Sequence, residues 1–339
     1  MAGSSLLIVL ATLALTANAF ITDRTVHFGG SLSDTQEVVY LEQEQADFAC
    51  KATFPTSGFT QAIFGRAAVP LFVDQHQGLF PNPYQVGPVG TPTSFRDLLV
   101  YRVQYARYQA CILPQYTVSF PNTLIPILSQ QINSFLAAYN PEDFLTLPPT
   151  LFTVLLGAND LAAIFEGASA TYQTVVGQEV AAGLSLAQAE QAAFTAVFVP
   201  LISQVLTDPA NGLISQVTRL AQVSPHATIV VGNTPDLTKT PEFLSVLAGN
   251  AGGVALFQSI IETYNTILAS TVGKLPNVKI FDLFTLLNQQ IAAAPVSLQT
   301  VPCLNACIDN AACVFADPFS PSFSTNQAAA TALAKLLGV

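Results

Sequence analysis

Apolar residues fall in two kinds of run along this chain. Arg24–Gly29, Leu151–Gly157, Ala227–Gly232 and Asn277–Asp282 are short, β-branched or aromatic, and end at Gly or Asp. That pattern predicts buried parallel strands. Tyr101–Ala106 is a weaker fifth. Between them lie helical patterns: Leu124–Tyr139, Leu184–Leu206, Leu213–Gln222, Val254–Val272 and Leu283–Ala294, with a last helix at Asn326–Leu337. Strands alternating with helices predict a doubly wound, mostly parallel α/β sheet.

Two regions depart from this alternation. Leu6–Leu15 is an apolar core, followed by Ala17-Asn18-Ala19. A short apolar run before a small-x-small site predicts a secretory signal over residues 1–19. The run is too short for a bilayer, which needs about 20 apolar residues, so no stable membrane insertion is expected. The second region, residues 50–100, is rich in Pro, Gly and Phe and predicts a long irregular excursion over the strand ends. No linker, repeat or low-complexity block interrupts the rest, so residues 20–339 are expected to form one secreted domain.

Composition narrows the partners. The net charge is −10 and no Lys/Arg cluster occurs, which argues against nucleic acid or an anionic membrane. Five cysteines, Cys50, Cys111, Cys303, Cys307 and Cys313, follow the signal. In an oxidising compartment some should pair. The odd number leaves at least one thiol over, or one that pairs between chains. Cys303, Cys307 and Cys313 lack an accompanying His, so neither a metal nor a cofactor is expected.

The chemistry-bearing segments lie at the ends of the predicted strands. Thr25-Val26-His27-Phe28-Gly29-Gly30-Ser31-Leu32-Ser33-Asp34 enters two glycines and meets a serine directly after them. Leu155-Leu156-Gly157-Ala158-Asn159-Asp160-Leu161 ends a strand and starts a helix with Asn159. By themselves, a Ser after Gly-Gly is a turn residue and an Asn at a helix start is a cap. Together, in this order, they resemble the first and third blocks of the GDSL/SGNH hydrolases. Lesser similarities at Phe95–Val100, Ile132–Ala138, Ile229–Leu237 and Tyr264-Asn265 extend the resemblance over nearly the whole mature chain. It implies a three-layer α/β/α sheet and a carboxyl-ester hydrolase. Ser31 would be the nucleophile. The oxyanion donors would be the Ser31 backbone N–H, the Asn159 side chain and a backbone N–H from the second block.

Three positions depart from the family pattern. Gly30 stands where the family has Asp before the serine. The second-block stretch Gln104–Cys111 has no Gly, and Tyr108 or Gln109 takes its place. The last block reads Asp317-Pro318-Phe319-Ser320, which puts Ser320 where the base His is expected. A serine hydroxyl cannot take a proton near neutral pH as imidazole does. His27 lies four residues before Ser31, roughly 13 Å along an extended strand, and cannot reach it. His226 leads into the fourth strand at the opposite edge, and His76 lies in the irregular excursion.

The expected protein is therefore a secreted, degenerate esterase- or lipase-like chain, weakly active or inactive. It would bind a small ester, an acylated glycan or a lipid. An active esterase with a base repositioned from His76 is one alternative. A structural protein that reuses the fold, assembled through the odd thiol, is another.

Overall fold

The computed structural model describes residues 24–29, 101–104, 111–116, 119–120, 123–124, 127–138, 150–248, 251–302, 313–315 and 321–338. The strands are β1 Arg24–Gly29, β2 Tyr101–Gln104, β3 Ser119–Phe120, β4 Thr123–Leu124, β5 Thr150–Leu155, β6 Thr228–Gly232 and β7 Val278–Phe281. The helices are α1 Leu128–Ala138, α2 Ala158–Ala181, α3 Leu186–Val223, α4 Pro241–Val246, α5 Ala251–Thr271, α6 Leu283–Ala293 and α7 Phe323–Leu337. Five strands form one parallel sheet in the order β2-β1-β5-β6-β7, and β3 and β4 pair as a small antiparallel ribbon.

Side-chain alternation along the strands separates two apolar layers. Val26, Phe28, Phe152, Val154, Ile229 and Val231 face one way, into a core shared with Leu128, Ile132 and Phe135 of α1, Phe165 of α2, Val217 of α3 and Ile261 of α5. Leu151, Leu155, Val230 and Phe281 face the other way, against Leu283 of α6 and Ala329, Leu333 and Leu337 of α7. Helices thus cover both faces, as the expected three-layer α/β/α architecture requires.

Where the sequence predicts a range for an element, its boundaries hold to within a few residues except in α3; α2, for which only a start at Asn159 is read, and α4, β3 and β4 have no predicted range. Leu184–Leu206 and Leu213–Gln222 are a single helix, α3, with Pro200 and Pro209 inside it. An interior proline removes one helical hydrogen bond and costs ~3 kcal/mol. Burial of Ala210, Leu213, Val217 and Leu220, none of which retains exposed surface, holds the helix continuous past that break. The signal segment and the 50–100 excursion lie outside the described residues. Among those described, no helix is long and apolar enough to cross a membrane.

Candidate active site at the carboxyl edge of the sheet

Every strand of the five-stranded sheet ends at the same edge. In open α/β sheets ligands bind beyond the carboxyl ends, where the strand order reverses direction. Here the chain passes from β1 outward to β2, then returns across β1 to β5, so the reversal falls between β1 and β5. Their register pairs Gly29 with Leu155 at the strand ends. The ends of β1 and β5, which precede Ser31 and Asn159 in the chain, therefore lie side by side.

Asn159 is the second residue of α2, half-buried, directly after the turn at Gly157. The start of this 24-residue helix carries partial positive charge and N–H groups without helical partners, a favourable setting for developing negative charge. Asn159 is the one sequence-predicted site residue among those described. Ser31, Gln109, Asp317 and Ser320 lie outside them, as do His76 and Tyr108. The chain on either side of 316–320 is pinned: Phe315 bridges Pro321, and the Ser322 N–H donates to the Val314 carbonyl at 2.8 Å.

Two histidines sit where the sequence placed them. His27 is fully buried within β1, with Nδ1 2.7 Å from Thr153 Oγ1 on β5. His226 is exposed and precedes β6, at the amino edge. Neither faces the carboxyl edge as a base.

Sequence reasoning missed the groups that hold this edge in shape. Gln131 of α1 grips Gly29: Oε1 accepts the Gly29 N–H at 3.0 Å and Nε2 donates to its carbonyl at 3.2 Å. Asp160 of α2 accepts the Ile112 N–H at 2.9 and 3.0 Å on its two oxygens and the Leu113 N–H at 3.0 Å. The Cys111 carbonyl in turn accepts the Leu128 N–H, which starts α1, at 3.1 Å. A continuous chain of bonds thus runs from α2 through 111–113 and α1 to the end of β1. At the end of β6, Asn265 of α5 takes the Thr234 N–H and donates to the Thr234 carbonyl, both at 2.8 Å. Asn233 donates to Asp282 Oδ1 at 2.9 Å and accepts the Phe284 N–H at 3.0 Å, tying β6 to α6. A sequence signal existed for Gln131, a polar residue within the apolar stripe Leu128, Ile132 and Phe135.

Burial dominates the electrostatics. It pushes the Asp160 carboxyl from 3.8 up to about 6, against the backbone N–H groups of Ile112, Leu113 and its own residue. It also pushes up the Cys111 thiol and the Tyr264 phenol, each raised further by the Asp160 charge. The hydroxyls of Tyr264 and Thr234 are buried without a hydrogen-bond partner among the described residues. Both lie against Gly157. Among the described residues no cluster of His, Cys, Asp and Glu could hold a metal.

No protein-family model and no curated protein matches this sequence. Several solved structures are similar. A candidate GDSL-like lipase from Parabacteroides merdae is 11% identical, with 94% of this chain and 97% of that chain covered and a TM-score of 0.44. Phospholipase A1 from Streptomyces albidoflavus is 13% identical over 94% and 98%, at 0.39. A mutant acetyl-xylooligosaccharide esterase from Geobacillus stearmophilus is 12% identical over 93% and 94%, at 0.37. At these identities and TM-scores nothing about chemistry is carried across. What the chain's own strands and helices define is a three-layer α/β/α protein whose candidate site is the carboxyl edge between β1 and β5.

Proposed function

We propose that this protein is a secreted ester-recognising relative of the GDSL hydrolases, with a cleft built on Ser31 and Asn159 and little or no turnover. The observation that supports it best is the Gly29–Leu155 pairing at the point where the strand order reverses. Both family-like segments start from that point. An ester carbonyl bound there would meet the Ser31 hydroxyl, the Asn159 amide at the start of α2, and backbone N–H groups at Ser31 and Gln109. A backbone N–H survives the replacement of Gly by Gln, so the oxyanion donor set is kept in principle. The step that fails is removal of the hydroxyl proton, because Ser320 occupies the position where the mechanism needs imidazole. Asp317 then has no ring to orient. Loss of one member can remove most of a triad's contribution, on the order of a million-fold in a measured serine protease. Binding of a small ester, an acylated glycan or a lipid is what remains.

A short-chain nitrophenyl ester assay tests this reading. The wild type is expected to show no turnover that depends on Ser31. The double variant Gly30→Asp/Ser320→His is expected to gain turnover that Ser31→Ala abolishes. Wild-type turnover that disappears in Ser31→Ala would overturn the reading in favour of an active esterase.

A further inference from the structure

β2 stops at Gln104, whose partner on β1 is His27. β1 continues to Gly29, still paired with β5. Past His27, the side of β1 that β2 covered has no strand beside it in the described sheet. Gln131 occupies that side at Gly29 and bonds both its N–H and its carbonyl. We propose that Gln131 is a positioning residue whose side-chain amide takes up the backbone groups of Gly29, two register positions past the last β1–β2 pair, and fixes the main chain there, two residues before Ser31.

The amide is itself held in place. Gln131 is 1% exposed and lies on the buried stripe of α1. One turn further along the helix, Phe135 packs edge-on against Phe28 of β1 at 5.7 Å and Phe152 of β5 at 5.3 Å. Asn133 Oδ1 accepts from Arg219 of α3 at 2.6 Å. A leucine would suit the stripe better, because burying an amide is unfavourable unless it is hydrogen-bonded. The side chain is polar there because Gly29 has two backbone groups to satisfy. Two residues of chain reach only ~7 Å, so fixing Gly29 limits where Ser31 can stand. The bearing on chemistry rests on the ester-recognising reading above, whereas the clamp itself does not.

Amide hydrogen exchange followed by NMR tests the clamp without needing activity. Protection at Gly29 and the Ser31 amide signal are measured over roughly pH 5 to 8, with the amides of β6 as the reference for global opening. In the wild type, protection at Gly29 relative to β6 should be flat with pH. Gln131→Leu should lose about tenfold or more at Gly29 relative to β6 at every pH, the loss expected for one or two backbone hydrogen bonds, and should shift the Ser31 signal. Gln131→Glu is the diagnostic variant. A neutral carboxyl offers one acceptor and one O–H donor, as the amide does, whereas the ionised form only accepts. This variant should match the wild type in acid. As the pH rises it keeps the acceptor for the Gly29 N–H and loses the donor to the Gly29 carbonyl, so the Ser31 amide signal should shift with pH. If Gln131→Leu does not fold, the acid-to-base change in Gln131→Glu still decides the matter. Unchanged Gly29 protection and Ser31 signal in Gln131→Leu, or a Ser31 signal flat with pH in Gln131→Glu, overturns the proposal. A negative ester assay leaves this exchange result standing, and an overturned clamp leaves the assay standing.

Discussion

Asp160 is a carboxylate with no exposed surface, held by backbone N–H groups and, among the described residues, by no cation. Burial outweighs those bonds, so its folded value, about 6, lies above the ordinary 3.8. Between these values the folded state binds more protons than the unfolded state, and stability falls as the pH rises through the window. The penalty is absent below about pH 4, complete above about pH 6, and on the order of 3 kcal/mol. Asp160→Asn keeps one acceptor for the 112–113 amides, gives up the second, and removes the charge. Urea midpoints measured from pH 4 to 8 should therefore fall with pH in the wild type more steeply than in the variant. The two curves should converge in acid and separate in base in favour of Asp160→Asn. Parallel curves would show that Asp160 keeps an ordinary carboxyl in the fold. Little of this was legible in the sequence. Asn159-Asp160 reads as a helix start, which it is, but the amides Asp160 holds lie 48 and 47 positions back, where no local pattern points to them.

At the scale of elements, the β5–α2 turn is the most constrained junction near the site. Gly157 has φ of 120°, and a Cβ there would stand 2.8 Å from the Tyr264 hydroxyl. Both facts oppose a side chain, so Gly157→Ala should lose about 2–4 kcal/mol by chemical denaturation, summing backbone strain and overpacking. Tyr264→Phe removes a buried hydroxyl that has no hydrogen-bond partner among the described residues, so that variant should be at least as stable as the wild type. In the double variant the contact part of the Gly157→Ala loss should return and the φ part should remain. Strictly additive losses would show that the hydroxyl is not what crowds Gly157. The elements around this turn were legible because their signals are local. β1 was read to the residue, and β5 and β6 to within two, from β-branched runs ending at glycine. α3 was read as two helices because a proline weakens a helix locally. The burial that overrides it belongs to tertiary packing. Gln131 went unread, and Asn265 was read only as part of a family-like pair and not for its bonds, for the same reason as Asp160, since their backbone partners lie 102 and 31 positions away.

For the whole molecule, segment 111–113 is where several distant parts of the chain meet. The Cys111 carbonyl accepts from the first residue of α1, and the next two amides are held by α2. A Cβ at Gly212 of α3 would stand 2.7 Å from Ile112 Cγ2, so α3 closes over the segment where it has only a glycine. Cys111 is 1% exposed in this setting, and burial followed by the Asp160 charge pushes its thiol up. The nucleophile in thiol chemistry is the thiolate, so the site is protected by both access and protonation state. Exposing the sulfur requires 111–113 to leave three helices, which amounts to unfolding the layer that covers β1 and β5. Cys111 should therefore resist a thiol reagent in native buffer, with Cys111→Ala identifying its signal. Its labelling rate should rise with urea along a slope equal to that of global unfolding. Rapid labelling without urea, or a much shallower slope, would mean that the segment opens locally. Under the expected behaviour, folded chains cannot be joined through Cys111. A covalent assembly through a spare thiol would then have to use a cysteine other than this one, and a non-reducing gel of Cys111→Ala should be indistinguishable from that of the wild type.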